Sequence, residues 1–281
     1  MKIIAVMNQK GGVGKTTTTV NVAAGLARAL KKVLLVDADL QANATTSFGV
    51  HVRQKGDVVC DLFSVLTGQC DLKDAVLVRT IAAKQKDTSL YIVPATIALS
   101  GFDQAVRALP NKQLLLKQML QDVAGVYDYV LIDCPPSLGL MTINALVAAD
   151  EVMIPVQPEF FALQGISQLL ETVGLLQKNI NPKLKIGSVL CTRFNRRKIH
   201  NEVLSCLKDR FDKTLFATKI HENIAIAEAP SFGQTIFEYS PRSSGSYDFD
   251  LFIKEFLNRE IRQMTLPLVD TVSQQKQKGL I

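Results

Sequence analysis

The chain has 281 residues, 47% of them hydrophobic, no tryptophan, and a formal net charge of +6. That length buries a full core as one domain, and the composition excludes a disordered chain. No apolar run approaches the roughly 20 residues of a membrane helix, and the chain enters a strand-like segment at Lys2 with no signal-peptide pattern, so a cytoplasmic protein is expected.

Taken in order, short β-rich apolar runs alternate with longer segments of helical period. Residues 3–7 read as a strand, followed by a glycine-rich turn and a helix over 15–31. A second strand spans 33–37. Residues 51–86 mix charges with short apolar stretches and predict small helices. Strands over 90–94, 129–133, 151–156 and 186–191 then alternate with helices over 113–124, 139–149, 162–179 and 201–211. This order predicts an α/β fold: a doubly wound, mostly parallel sheet with helices on both faces, ligands lying at the carboxyl ends of the strands.

Near the end of the chain Phe249, Phe252, Ile253, Phe256, Leu257, Ile261 and Met264 recur at helical spacing and form one apolar stripe. It is expected to dock on the core, because Asp248, Asp250, Glu255 and Glu260 would be repelled by anionic lipid. The expected organisation is one domain over residues 1–264 and a partly disordered tail over 265–281.

Five cysteines, Cys60, Cys70, Cys134, Cys191 and Cys206, are scattered without a C-x-x-C pair, and are read as buried reduced thiols. The three histidines are equally dispersed, which argues against a histidine metal site. Charge is concentrated: between Arg193 and Lys219 eight lysines and arginines face three acids, almost the whole net excess. Such a focused positive field attracts a polyanion, nucleic acid above all.

The strongest chemical signal follows the first strand. A strand, a glycine-rich turn, and Gly14-Lys15-Thr16 opening a helix make a triphosphate cradle. Backbone N–H groups face phosphate oxygens, Lys15 adds a point charge at the β and γ groups, and Thr16 offers a hydroxyl to Mg²⁺. The usual G-x-x-x-x-G-K-[ST] spacing requires glycine at position 9, where this chain has Gln9. The loop instead reads Lys10-Gly11-Gly12-Val13-Gly14-Lys15-Thr16-Thr17. Lys10 precedes the cradle and is placed to reach the phosphates of a facing subunit, a lysine counterpart of an arginine finger.

These residues resemble the deviant Walker A motif of the ParA/MinD ATPases. The likeness continues through the stretch from Val33 to Thr45, through Tyr129 to Gly139 with its Asp133-Cys134-Pro135-Pro136, through Ile154 to Gly165, and at Glu228-Ala229-Pro230-Ser231 and Tyr239-Ser240-Pro241-Arg242-Ser243. It is similar above all to the short, Soj-like ParA proteins. The resemblance implies an ATPase with ATP and Mg²⁺ as ligands. Lys10, Lys15 and Asp39 would be its catalytic residues, and Lys10, Gly11, Gly12, Val13, Gly14, Lys15, Thr16, Thr17, Asp133 and Pro230 its nucleotide site.

Asp133 ends an apolar strand and takes the role of the acid that holds Mg²⁺ directly or through water, together with Thr16 and Asp39. Asp37 and Asp39, two residues apart at the end of a strand, are expected to point to the same side. By the family pattern Asp39 orients the attacking water and Asp37 supports the loop or metal shell. The usual proline after Asp39 is Leu40 here, a change that bears on the rigidity of this loop.

The family further implies an ATP-dependent homodimer that binds DNA without sequence preference, is nucleoid-associated, and is released when a ParB-like partner stimulates hydrolysis. The candidate DNA surface is Arg196, Arg197, Lys198, Lys213 and Lys219. Soj-like proteins carry P-R-N-x-R before the E-A-P-S segment, where this chain has His221-Glu222-Asn223-Ile224-Ala225. Two positive charges are missing there, one of them replaced by an acid. The residues that meet the base are expected after Cys191 and near Pro230. The rival reading is a MinD-like membrane-associated or other cargo-positioning ATPase. The C-terminal segment has too few bulky apolar residues at helical spacing for an amphipathic anchor, so no membrane partner is expected.

Overall fold

The structure, a computed structural model, describes residues 1–82, 87–159, 162–195 and 197–265. β1 (Lys2–Val6) leads through the glycine-rich turn into α1 (Lys15–Arg28), then β2 (Val33–Asp37) and the short α2 (Asn43–Ser47). A hairpin of β3 (Arg53–Lys55) and β4 (Val58–Cys60) precedes α3 (Leu62–Leu66), α4 (Leu72–Ala75), β5 (Leu77–Ile81) and β6 (Thr88–Val93). The chain continues through α5 (Phe102–Ala105), α6 (Leu115–Gln121), β7 (Tyr129–Asp133), α7 (Leu140–Ala148) and β8 (Glu151–Val156). After α8 (Ala162–Asn179), β9 (Lys185–Phe194), α9 (Lys198–Phe211) and β10 (Leu215–His221) come α10 (Ile224–Glu228), α11 (Ile236–Tyr239) and α12 (Ser244–Thr265).

Eight strands form one sheet in the order β10-β9-β8-β1-β7-β2-β6-β5. All neighbours are parallel except β5, which runs antiparallel to β6. The central strands are apolar without interruption because both faces are covered. Their period of two divides them between two cores. Ala5, Leu34, Val36, Val130 and Ile132 face the layer of α3 to α9. Ile4, Val6, Val33, Leu35 and Leu131 face α1, α2, α11 and α12.

Pro155 in β8 would break a central ladder, since it has no N–H to donate. The pairing of β1 with β8 stops at Met153, so Pro155 lies beyond it, where the sheet opens toward the glycine-rich loop.

Several expectations need correction. Of the segment 51–86, the described residues 51–82 form not only short helices but also the hairpin and the edge strand β5. The edge strand β10, with Thr218 and Lys219 among its seven residues, is absent from the elements expected from the sequence. Cys60 and Cys70 are joined in a disulfide, with Cα atoms 5.8 Å apart, because α3 and its turn bring them back together. Cys134 and Cys191 are buried thiols, while Cys206 is exposed. On α12, Phe249, Phe252, Ile253 and Phe256 are buried, but Ile261 is 58% exposed, so the stripe leaves the core before its end. The side chain of Met264 and the expected tail from residue 266 onward lie outside the described residues.

Candidate active site at the carboxyl ends of the strands

β1 ends at Val6, and the loop after it is braced on two sides. Asn8 accepts from the N–H of Lys10 at 3.0 Å and donates to the carbonyl of Pro155 at 2.8 Å. Thr192 in β9 donates its hydroxyl to the carbonyl of Val13 at 2.8 Å. Gly12 and Gly14 adopt φ of 74° and 85°, the left-handed region that a side chain resists. A Cβ at Gly11 or Gly12 would meet nothing within 4 Å, so the loop borders open space just before α1 begins. A fourteen-residue helix directed at that space suits an anion.

Lys15 folds back over this loop and donates to the carbonyl of Lys10 at 3.2 Å. Burial draws its pKa below the ordinary lysine value, and the charges of Asp133 and Asp39 oppose that shift. Beside it, Asp133 is fully buried and bracketed by two hydroxyls of α1: Thr16 donates at 2.7 Å and Thr19 at 2.8 Å. Among the described residues Asp133 forms no ion pair within 4.0 Å, and its bonded partners are hydroxyls. Burial, and next the charge of Asp37, raise its carboxyl well above the ordinary range. Oxygen donors around a buried carboxylate suit a hard divalent cation.

Asp37 and Asp133 are register partners on β2 and β7, which brings the two carboxyl groups side by side. Asp37 has no outward role: its oxygens accept from the N–H and hydroxyl of Thr45, at 2.8 and 2.7 Å, and from the N–H of Asp39 at 3.2 Å. It thereby anchors α2. Burial raises its pKa, against the hydrogen bonds from Thr45. The two acids differ in surroundings: Asp37 is fully buried, and Asp39 lies past the end of the strand. β2 ends at Asp37, and Asp39 instead lines the open cavity and accepts from the N–H of Gln41 at 3.0 Å.

That cavity, about 510 Å³, is bounded by Gly11, Gly12, Lys15, Thr16, Thr17, Asp39, Leu40 and Pro135 among others. A second cavity of about 400 Å³ shares Gly12, Gly14 and Thr17 with it and continues between Thr18, Thr192, Arg193, Ile220, Ile226 and Phe249. Its walls are largely apolar, as in cavities that take small organic ligands. Thr192 and Arg193, which follow Cys191, line it from the end of β9 rather than from a loop. Pro230 sits in the turn Ala229–Phe232 and is not among the residues lining these two cavities. Its segment is held instead by close approach of Gly233 to Gly49.

Lys10 is not among the residues lining either cavity and pairs with Glu159. Among the described residues the basic side chains expected to bind DNA do not form one patch. Arg197 caps α9 and Lys198 is exposed beside Glu202, both just past the carboxyl end of β9. Lys219 lies over the ring of Phe194, 4.5 Å from its centre. Lys213 is at the opposite end of the strands, near Glu151 and Lys185. The ten residues of β9, about 30 Å, separate the two ends. Arg196 lies outside the described residues.

Sequence reading missed Asn8, Thr19, Thr45 and Thr192. Thr19 was accessible in principle, because Thr16 and Thr19 are three apart and share a helix face. The others depend on long-range packing.

Glycine loop, helix N-terminus, lysine and hydroxyl-bracketed acid at the carboxyl ends of a parallel sheet define a phosphate-loop nucleoside triphosphatase. The family described as AAA domain matches residues 1–186. The chain is 45% identical to the sporulation initiation inhibitor protein Soj of Bacillus subtilis over 87% of this chain and 94% of that one. It is 37% identical to the chromosome partitioning protein ParA of Myxococcus xanthus over 92% of this chain and 89% of that one. Among solved structures, cobyrinic acid a,c-diamide synthase from Mycobacterium smegmatis with bound ADP and magnesium superposes with a TM-score of 0.77 at 30% identity, covering 96% of this chain and 99% of that one. The chain belongs to the ParA/MinD family of deviant Walker A ATPases, among its Soj-like members.

Proposed function

We propose that the chain is an ATP-driven switch. It binds ATP with Mg²⁺, pairs with a second copy across the nucleotides, binds duplex DNA without sequence preference, and is reset when a ParB-type partner stimulates hydrolysis, in the service of chromosome or plasmid segregation. The observation that carries this reading is the bracket of Thr16 and Thr19 on Asp133 beside Lys15. The ADP and magnesium bound by the Mycobacterium smegmatis protein support the choice of ligand.

In this reading Thr16 and Asp133 hold Mg²⁺, with Asp39 acting through water, and the ion when bound neutralises phosphate charge. Lys15 binds the β- and γ-phosphates. Asp39 orients the water that attacks the γ-phosphorus, and the bond to the ADP oxygen breaks. Lys10 of the facing copy stabilises the charge that develops there. Pairing doubles the basic contacts available to DNA, and affinity rises steeply with the number of neutralised phosphates.

The test combines phosphate release, sedimentation velocity and filter binding of random duplex DNA, each with and without ATP and Mg²⁺. The expected result is slow hydrolysis, an ATP-dependent dimer, and DNA binding that falls steeply with salt. An ATP-bound form that stays monomeric at all concentrations overturns it. The separation of Lys213 from Arg197 and Lys198 favours a second reading, the same switch working on a cargo other than DNA. Dimerisation without DNA binding at low salt would select it.

A further inference from the structure

The second cavity, beside the phosphate loop, has a mouth that the function above leaves unused. β9 and β10 run parallel at the end of the sheet, and the N–H of Glu222, just past β10, donates to the carbonyl of Phe194 at 3.1 Å. Across this junction the guanidinium of Arg193 lies 3.4 Å from the carboxylate of Glu222, and both residues line the cavity.

The backbone of Arg193 is in the left-handed region, φ 46°, inside a strand. A side chain bearing a Cβ resists that conformation, and such outliers gather where a ligand is held. The preceding residue, Thr192, is the one that braces the phosphate loop. Two consecutive residues of β9 thus serve the two halves of the site, Thr192 at the loop and Arg193 at the mouth. In the same cavity the hydroxyl of Thr18 is buried with no hydrogen-bond partner, a group that the polar edge of a ligand would satisfy. Glu222 is also the acid that stands where the resemblance expects arginine.

We propose that the Arg193–Glu222 ion pair is a latch across the mouth of the nucleoside cavity, slowing the release of bound nucleotide. The inference rests on the nucleotide reading of the site. The base leaves only when the pair parts, so the pair acts on the rate of release. Both side chains are about half exposed, and solvent screening keeps the effect small: about a two- to fivefold change in release rate, lost at high salt.

The experiment is stopped-flow release of a fluorescent methylanthraniloyl-ADP, with Mg²⁺, from the full chain at low salt. Glu222→Arg and Arg193→Glu are each expected to release it about two to five times faster. The charge-swapped double variant is expected to return to within about 1.5-fold of the parent, and all four proteins should converge near 0.5 M salt. Single variants that release at the parent rate, or a double variant as fast as the singles, overturn the latch.

Arg193→Gly separates function from folding. It relieves the left-handed backbone, so the melting temperature should rise while release becomes faster. A purely structural Arg193 would move stability and nucleotide retention in the same direction. Magnesium tripolyphosphate, which has no nucleoside, should bind the parent and Arg193→Gly within about threefold of each other. Failure of the parent to bind either probe removes the nucleotide reading and the latch with it. Binding of both with a flat charge cycle removes the latch alone.

Discussion

The ammonium of Lys10 and the carboxylate of Glu159 form an ion pair between residues 149 positions apart in the chain. The bond from Lys10 holds Glu159 below the usual carboxylate range, against a small effect of burial. Within one chain the side chain of Lys10 is therefore engaged beside the end of β8, while its carbonyl supports Lys15. The same residue serves its own cradle by its backbone while its charge is held by Glu159.

From that arrangement, Lys10→Ala should keep ATP affinity within about threefold yet lose dimerisation and turnover. Glu159→Gln should free the ammonium and lower the concentration needed for the ATP-dependent dimer about two- to fivefold. Sedimentation velocity and phosphate release measure both. Normal turnover by the Lys10 variant would remove the role across the dimer.

Lys15 and Asp39 line one cavity but have different tasks. Lys15→Ala should weaken ATP binding about 10- to 100-fold, the worth of a charge-assisted bond. Asp39→Ala should retain ATP, slow hydrolysis about 10²- to 10⁴-fold, and accumulate the dimer. Equilibrium binding and single-turnover hydrolysis tell them apart, and an Asp39 variant with intact turnover would contradict the assignment.

The buried carboxyl groups of Asp37 and Asp133 predict a pH dependence. Both are raised by burial, so the folded protein holds protons that the unfolded chain has released. Stability without nucleotide should therefore fall as pH rises from the ordinary value of 3.8 toward about 7. Asp133→Asn removes one of the two charges and should raise the melting temperature at pH 8 by about 2–4 °C, flatten the slope from pH 5 to 8, and abolish Mg²⁺-dependent turnover. Thermal melts at the two pH values check it, and a variant less stable than the parent at pH 8 would refute the sign.

Gly233 has φ 62°, and a Cβ there would lie 2.8 Å from the Cα of Gly49, where only backbone is available to move. Arg79 ties the same junction, donating to the carbonyl of Phe48 at 3.2 Å and to Glu238 at 3.1 Å. Gly233→Ala should cost about 2–4 kcal/mol from left-handed strain and overpacking together. A urea titration that shows the variant within 1 kcal/mol of the parent, by the roughly 1 kcal/mol scale of ordinary substitutions, would mean the two backbones separate at little cost.

Val33–Asp37, Tyr129–Asp133 and Glu151–Val156 were legible from the chain alone, with the same bounds as the observed strands. Each is an apolar run closed by a turn or a charge, and burial on both faces of a parallel sheet imposes that pattern locally. The glycine-rich loop was equally legible, because its chemistry is written in contiguous residues. β5 and β10 were not: each lies at a sheet edge, partly open to solvent, and carries polar residues that blur its period.

What the tertiary structure alone decided are the meetings of distant residues. Asp37 stands beside Asp133 because β7 inserts next to β2, Lys10 meets Glu159 because β8 lies on the other side of β1, and Lys213 parts from Arg197 because a whole strand separates them. Local period and turn chemistry act between neighbours in sequence, and so they fix elements and the loop. Strand order and register are set by packing the entire sheet, and only that packing determines which charges share a site.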